Sequence, residues 1–175
     1  MENNSSLTNN SNKEFVLTRT INAPRSLVFK TWTEPEHLAK WWGPKGFTFL
    51  SAKMDFRPGG IFHYGMKSPD GSEMWGKLLY HEIVEPELLT YIVSFSDKDC
   101  NTTRHPLSAI WPLEVMNILT LTDQGDKTLL TMRGFPVNAT EEEITMFHDN
   151  HKNMEAGFSG MFSQYEEYLA SIIKV

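Results

Sequence analysis

The chain predicts an α+β fold: a curved, antiparallel, seven-stranded sheet wrapped around one long C-terminal helix, with two short helices after the first strand. Three observations carry that expectation. Apolar and polar side chains alternate through seven segments, most of them joined by short turns; helical spacing interrupts them once, directly after the first segment; and beyond Thr140 apolar residues recur at three- and four-residue steps. Short connections of this kind join antiparallel neighbours. At 175 residues the chain suits one domain with one core.

Taken in order, residues 1–13 hold five Asn and three Ser around an isolated Leu7, a composition that cannot offset its own ordering entropy and reads as a disordered lead. The domain then covers residues 14–175. Phe15 to Ile21 alternates and reads as a strand, and Pro24 suits the first turn of a short helix carrying Val28, Phe29 and Trp32. Thr33 and Glu36 have the spacing of a capping box for a second helix with Leu38, Trp41 and Trp42 on its apolar stripe, and Gly43-Pro44 stops it. Strands are expected over 47–56, 61–67, 74–84, 88–95, 111–122 and 127–134, punctuated by Arg57-Pro58-Gly59-Gly60, Pro69-Asp70-Gly71, Glu85-Pro86-Glu87 and Gln124-Gly125-Asp126. Ser96 to Pro112 is long for a connection and suits a lid or a strand extension. Thr140 and Glu143 form a further capping box, opening an amphipathic helix with Ile144, Phe147, His151, Met154, Phe158, Met161, Tyr165, Leu169 and Ile172 on one face. Unbroken, it would be about 48 Å long at 1.5 Å per residue, so a break is expected near Asp149 or Asn150, with Gly157 and Gly160 allowing close approach to the sheet.

Composition narrows the function. Hydrophobic residues make up 40% and charged residues 22%, and no apolar run approaches the ~18–20 residues of a membrane span, which excludes a spanning helix and a mostly disordered chain. The formal charge is −6; residues from Asn138 onward carry seven acidic and two basic side chains, so no basic stripe offers itself to nucleic acid or to an anionic membrane surface. Cys100 is the single cysteine and cannot form an internal disulfide, and the N-terminus lacks the basic start and apolar stretch of a secretory signal. A cytoplasmic setting is the expectation.

A sheet curved round one helix leaves space between them, and the aromatic and Met residues of this chain fall largely on positions facing that space. Trp42, Phe56, Phe62, Tyr64, Trp75, Tyr91, Phe95, Trp111, His151, Met154, Phe158 and Met161 are the candidate ligand-binding residues. Alternation leaves the facing of 74–84 open: either Trp75, Lys77, Leu79 and His81 or Met74, Gly76, Leu78 and Tyr80 point inward.

Ala23-Pro24 with Val28 and Trp32, His37-Leu38 with Trp41-Trp42-Gly43-Pro44, Asp55 to Gly60, Pro69-Asp70-Gly71, Gly76, Glu82 to Glu87, Asn153-Met154-Glu155 with Gly157-Phe158, and Tyr168-Leu169 carry a resemblance in their order and spacing. The chain resembles the START-like superfamily, also called SRPBCC or birch-pollen-allergen-like, in the branch named for the C-terminal domain of the activator of the heat-shock-protein-90 ATPase. The resemblance implies the helix-grip fold and binding of hydrophobic or amphipathic small molecules; many relatives carry Trp where this chain has Phe158. It also implies two further readings, an enzyme of the cyclase, aromatase or hydrolase kind and a chaperone-interacting module.

The residues supply no convincing catalytic constellation. His148, His151 and Glu155 have spacing that suits a metal, but no second motif completes a ligand set, so neither metal nor cofactor is expected. His37, His63 and His81 have no spacing that asks them to converge. Cys100 sits between acids that oppose a thiolate, Glu141-Glu142-Glu143 matches a helix N-terminus, and Arg57 suits a pair with Asp55. Arg104-His105 on the long loop is the more suggestive pair, open to ligand contact or proton transfer. Non-covalent binding of a small hydrophobic ligand by a monomer or homodimer is therefore the leading expectation, ahead of an enzyme using His105, His148 or His151 and of a module whose partner is a chaperone.

Overall fold

The computed structural model describes residues 14–173, so the disordered lead expected over residues 1–13 lies outside the described residues. The elements run β1 (Phe15–Ile21), α1 (Arg25–Thr33), α2 (Pro35–Trp41), β2 (Thr48–Met54), β3 (Ile61–Lys67), β4 (Glu73–Val84), β5 (Leu88–Ser96), β6 (Thr102–Thr103), β7 (Val115–Gln124), β8 (Lys127–Pro136), α3 (Glu141–Asp149) and α4 (His151–Ile173). The strands form one antiparallel sheet in the order β1-β8-β7-β5-β4-β3-β2, with the two-residue β6 paired to the end of β5. The expected α+β architecture holds. β6 adds an eighth strand because Phe95 and Ser96 extend their ladder onto Thr103 and Thr102, so the first part of the long connection is a strand extension. β7 begins at Val115, four residues after the expected start, since Trp111 and Pro112 belong to the connection.

The helix boundaries correct the sequence reading in one place. Thr33 and Glu36 do not cap α2: Pro35 occupies its first turn and holds Glu34 extended (φ −109°, ψ 130°) as the cap. Thr33 closes α1 instead, where its hydroxyl donates to the Phe29 carbonyl at 2.8 Å. The capping box at α3 is as expected, with Thr140 and Glu143 exchanging side-chain and backbone bonds of 3.2 Å. The break falls at Asn150, between α3 and α4.

α4 is buried most deeply in its C-terminal half, while its first half meets β1 more shallowly, where Arg19 Nη2 donates to Ser159 Oγ at 2.8 Å and Phe158 stacks on Phe15 at 5.5 Å. Met161, Phe162, Tyr165 and Leu169 are buried, whereas His151, Met154 and Phe158 in the preceding turns are only partly covered. Two glycines of that first half, Gly157 and Gly160, have open space where a Cβ would stand, so the close approach expected there does not occur. The C-terminal half enters an aromatic knot: Trp32 lies 4.8 Å from Trp41 and 6.1 Å from both Phe162 and Tyr165, and Trp41 lies 4.4 Å from Tyr165 between ring centroids. Thr31 ties the knot from beneath. Its hydroxyl shares a 2.7 Å bond with the Tyr165 hydroxyl, and its carbonyl accepts the Trp41 indole N–H at 3.1 Å. Further along, the Tyr168 hydroxyl meets His37 Nδ1 at 2.5 Å and Gln164 donates to the Gly43 carbonyl at 2.9 Å.

The connection from Asp97 to Glu114 is pinned to α3. Arg104 Nη1 donates to Glu143 Oε1 at 2.7 Å and to the Trp111 carbonyl at 3.3 Å. The Arg104 guanidinium bonded to Glu143 holds that carboxyl below its ordinary range, against the opposing effect of burial.

Two outcomes follow in urea unfolding. Phe162→Ala lowers the unfolding free energy by about 3–5 kcal/mol, and Met154→Ala by less than about 2 kcal/mol; equal losses contradict a helix buried more deeply in its C-terminal half. Glu143→Gln keeps the capping acceptor but removes the charge, costing about 1 kcal/mol at neutral pH. Because the folded carboxyl titrates below its unfolded value, this stability is complete above the ordinary carboxylate range and disappears as pH falls through the depressed value. Wild type and Glu143→Gln then converge in acid; a difference that persists there refutes the assignment.

Candidate functional site

A cavity of about 280 Å³ lies between the curved sheet and the first, less deeply buried half of α4. Alternation on the strands builds the floor. Tyr64 and Met66 of β3, Met74 of β4, Tyr91, Val93, Ser94 and Phe95 of β5, and Val115 and Asn117 of β7 line it. Met154, Phe158 and Met161 of α4 form the roof, Trp42-Gly43-Pro44 closes one end, and Trp111-Pro112 with Phe147 of α3 closes the other.

The pairing of β3 with β4 settles which face of β4 looks inward. Tyr64 opposes Gly76 and Phe62 opposes Leu78, so Met74, Gly76, Leu78 and Tyr80 are the inward set. Gly76 makes room for Tyr64: a Cβ there would stand 2.6 Å from the Tyr64 hydroxyl oxygen. Trp75 borders the cavity, yet its ring belongs to the outer face, where it lies over Gly65 and stacks with His63 at 5.3 Å and 27°.

Nine of the twelve candidate residues therefore stand at the cavity: Trp42, Tyr64, Trp75, Tyr91, Phe95, Trp111, Met154, Phe158 and Met161. Three do not. Phe62 is fully buried against Tyr64, 5.3 Å between centroids, and Phe56 packs edge-on to Tyr80 at 5.0 Å and to Phe29 at 6.2 Å, so both support the wall from behind. His151 is wedged between the edges of Phe15 and Phe147, at 5.5 Å and 5.3 Å, with Nε2 buried and unpartnered. Burial pulls its pKa down, and the neighbouring His148 lowers it further.

Sequence reasoning missed Phe147, Val93, Val115 and Asn117. Asn117 had a readable signal, being a polar residue at an inward position of an alternating strand between Val115 and Leu119. Phe147 was on the apolar stripe of its helix. Conversely, Trp41 turns out to be core, 1% exposed, and Trp32 belongs with it in the knot.

Electrostatically the site is neutral. Among the described residues, no Asp, Glu, Lys, Arg, His or Cys lines the cavity. Burial raises the Tyr64 hydroxyl above its ordinary pKa, offset in part by the Trp42 indole, and burial also raises Tyr91, so both phenols stay protonated. The ionisable candidates lie elsewhere. His105 packs edge-on against Phe95 at 4.7 Å and Trp111 at 6.2 Å, behind the wall, with its pKa lowered by burial. Arg57 pairs with Asp55 at 2.8 Å as its spacing suggests. His37, His63 and His81 sit on separate elements, α2, β3 and β4, and among the described residues no three His, Cys, Asp or Glu side chains group to hold a metal.

The fold has structural counterparts. A crystal structure of a Mycobacterium smegmatis protein is similar with 25% identity and a TM-score of 0.72, covering 90% of this chain and 91% of that one. An X-ray structure from Nitrosomonas europaea gives 23% identity and 0.72 over 94% and 99%, and a solution structure from Arthrobacter aurescens gives 22% and 0.73 over 90% and 86%. No curated protein sequence matches the chain. A family model described as "Activator of Hsp90 ATPase homolog 1-like protein" matches residues 22–170, from the turn before α1 to the last turns of α4. The resemblance read from the tryptophan, glycine and proline motifs thus holds, and the chain belongs to the activator of Hsp90 ATPase homolog 1-like family.

Proposed function

We propose that this protein binds a small hydrophobic or amphipathic molecule, non-covalently, in the space between the sheet and the first half of α4. The observation that carries the reading is the cavity of about 280 Å³. A recess many times the ~30 Å³ share of one water, walled by large apolar side chains, has room for a small molecule. Its volume lies near the lower end of ligand pockets, and its walls are apolar with a few polar tips, which is the usual composition of such sites. Nothing in the lining offers a charged nucleophile, acid or base, so the chemistry available there is packing and hydrogen bonding.

A chaperone partner is the second reading, favoured by the family description. The large exposed apolar side chains Val16, Leu50, Val84 and Leu107, with Ile173 at the end of α4 as a fifth, are the surface it would draw on. The first four stand on β1, β2, β4 and the connection before β7, dispersed over the sheet and its loops.

Native mass spectrometry of the purified protein, intact and after denaturation, is expected to show a defined small-molecule adduct released on unfolding, or uptake of a neutral fluorophore such as N-phenyl-1-naphthylamine by the apo form. Val93→Trp places an indole in the cavity and is expected to weaken fluorophore binding by about tenfold or more, a loss of about 1.4 kcal/mol. Unchanged binding in Val93→Trp places the fluorophore elsewhere. Absence of both adduct and uptake, with stimulation of a chaperone ATPase, favours the second reading.

A further inference from the structure

Beside Tyr64 and Ser94, the polar residues of the cavity lining are Tyr91 and Asn117, which share one row across the sheet. Strand register sets Tyr80 of β4 opposite Tyr91 of β5, Tyr91 opposite Asn117 of β7, and Asn117 opposite Gly134 of β8. Side chains opposed in this way on one face stand about 4.5–5.5 Å apart at Cβ, so Tyr91 and Asn117 form an adjacent pair. Both line the cavity and are 2% and 7% exposed. Asn117 donates one amide N–H to the Val115 carbonyl at a long 3.3 Å; its Oδ1 and the Tyr91 hydroxyl make no hydrogen bond among the described residues and belong to residues that line the cavity, whereas the Tyr80 hydroxyl beside them in the row is enclosed without a partner. Gly134 keeps the space clear, since a Cβ there would stand 3.2 Å from Asn117 Oδ1 and 3.9 Å from the Phe147 ring.

Leaving buried donors and acceptors unmet is unfavourable, while Leu and Phe would fill the same volume without that penalty. An amide facing a cavity beside a phenol therefore asks for a partner inside the cavity. Between them the two groups offer both donors and acceptors, which suits a hydroxyl or a carbonyl. The lining holds no countercharge for an ion, and an unpaired ion is disfavoured in an apolar site. The volume of about 280 Å³ is nearly twice the roughly 150 Å³ of a cavity that accepts one benzene, which suits a two-ring skeleton.

We propose that Tyr91 and Asn117 are the specificity-determining pair of this cavity, selecting an uncharged, two-ring-sized ligand that carries a hydroxyl or carbonyl over its purely apolar and its charged analogues. This rests on the ligand-binding reading above.

The test titrates 2-naphthol, 2-methylnaphthalene, 2-naphthoate and (2-naphthylmethyl)trimethylammonium at neutral pH into wild type, Tyr91→Phe and Asn117→Leu, following amide resonances by NMR. Wild type is expected to bind 2-naphthol about 3–10-fold more tightly than 2-methylnaphthalene, and both more tightly than either ion. Each variant is expected to bind 2-naphthol and 2-methylnaphthalene with nearly equal affinity, losing most of the wild-type preference for the hydroxyl. Tyr91→Phe removes a single oxygen and serves where Asn117→Leu fails to fold. Equal affinity for the two neutral probes, tighter binding of an ion, or a preference that survives in both variants overturns the pair while leaving the cavity as a binding site. No response at cavity residues to any probe overturns both.

Discussion

The structure depends on where α4 is fastened. Thr31 and Tyr165 share one buried hydrogen bond, and the rings of Trp32, Trp41, Phe162 and Tyr165 close around it. Aromatic pairs at these separations contribute beyond their buried area, and the hydroxyl pair fixes register as well as distance. Because α1 has no side-chain cap, its own ends do little to hold it; packing against this knot does. The knot thus orders α1, α2 and the C-terminal half of α4 together, while the first half of α4 rests on the edge strand β1 through Arg19–Ser159 and Phe15–Phe158 and does not fill the space beside it.

That arrangement explains why a cavity survives in a chain so rich in large side chains. Curvature opens the sheet's concave face, and side chains from alternate positions reach inward only part of the way. Tyr64 lies flat over Gly76, and Asn117 leans over Gly134, so two floor positions without side chains are taken up by neighbours lying across them. The two ends are closed by different means. Trp42-Gly43-Pro44 is held by α4 itself, through Gln164 to the Gly43 carbonyl, whereas Trp111-Pro112 is held through Arg104 and Glu143 to the start of α3. The first closure belongs to the deeply buried half of α4. The second rests on an ion pair at a connection, so the two ends of the cavity differ in what secures them.

Family membership, cavity chemistry and charge point the same way. The cavity is apolar and uncharged, with the hydroxyls of Tyr64, Tyr91 and Ser94 and the amide of Asn117 as its polar groups. Histidines that looked available for proton transfer in the sequence stand behind the wall: His105 against Phe95 and Trp111, His151 between Phe15 and Phe147. There they act as flat, mostly apolar surfaces, and burial favours their neutral forms.

Much of this was legible in the residues. Period-two alternation, turn signals and the capping box at Thr140 and Glu143 determine which segments are strands and where α3 starts, because these are local properties of backbone and side-chain chemistry. The break at Asn150 followed from length alone. Locality also set the limit: Thr33 and Glu36 had the spacing of a cap, but Pro35 moved the boundary, and the facing of β4 was undecidable because either alternate set is apolar enough to be buried. The site was half visible for the same reason. Aromatic and Met content announced a large interior without saying which rings would wall a cavity and which would fill the core, so Phe56, Phe62 and His151 were placed too far forward and Asn117 was passed over. Only the tertiary structure decided that, since the difference between lining and filling lies in register between strands and in how deeply each half of a helix is buried, and both are set by contacts between residues far apart in the chain.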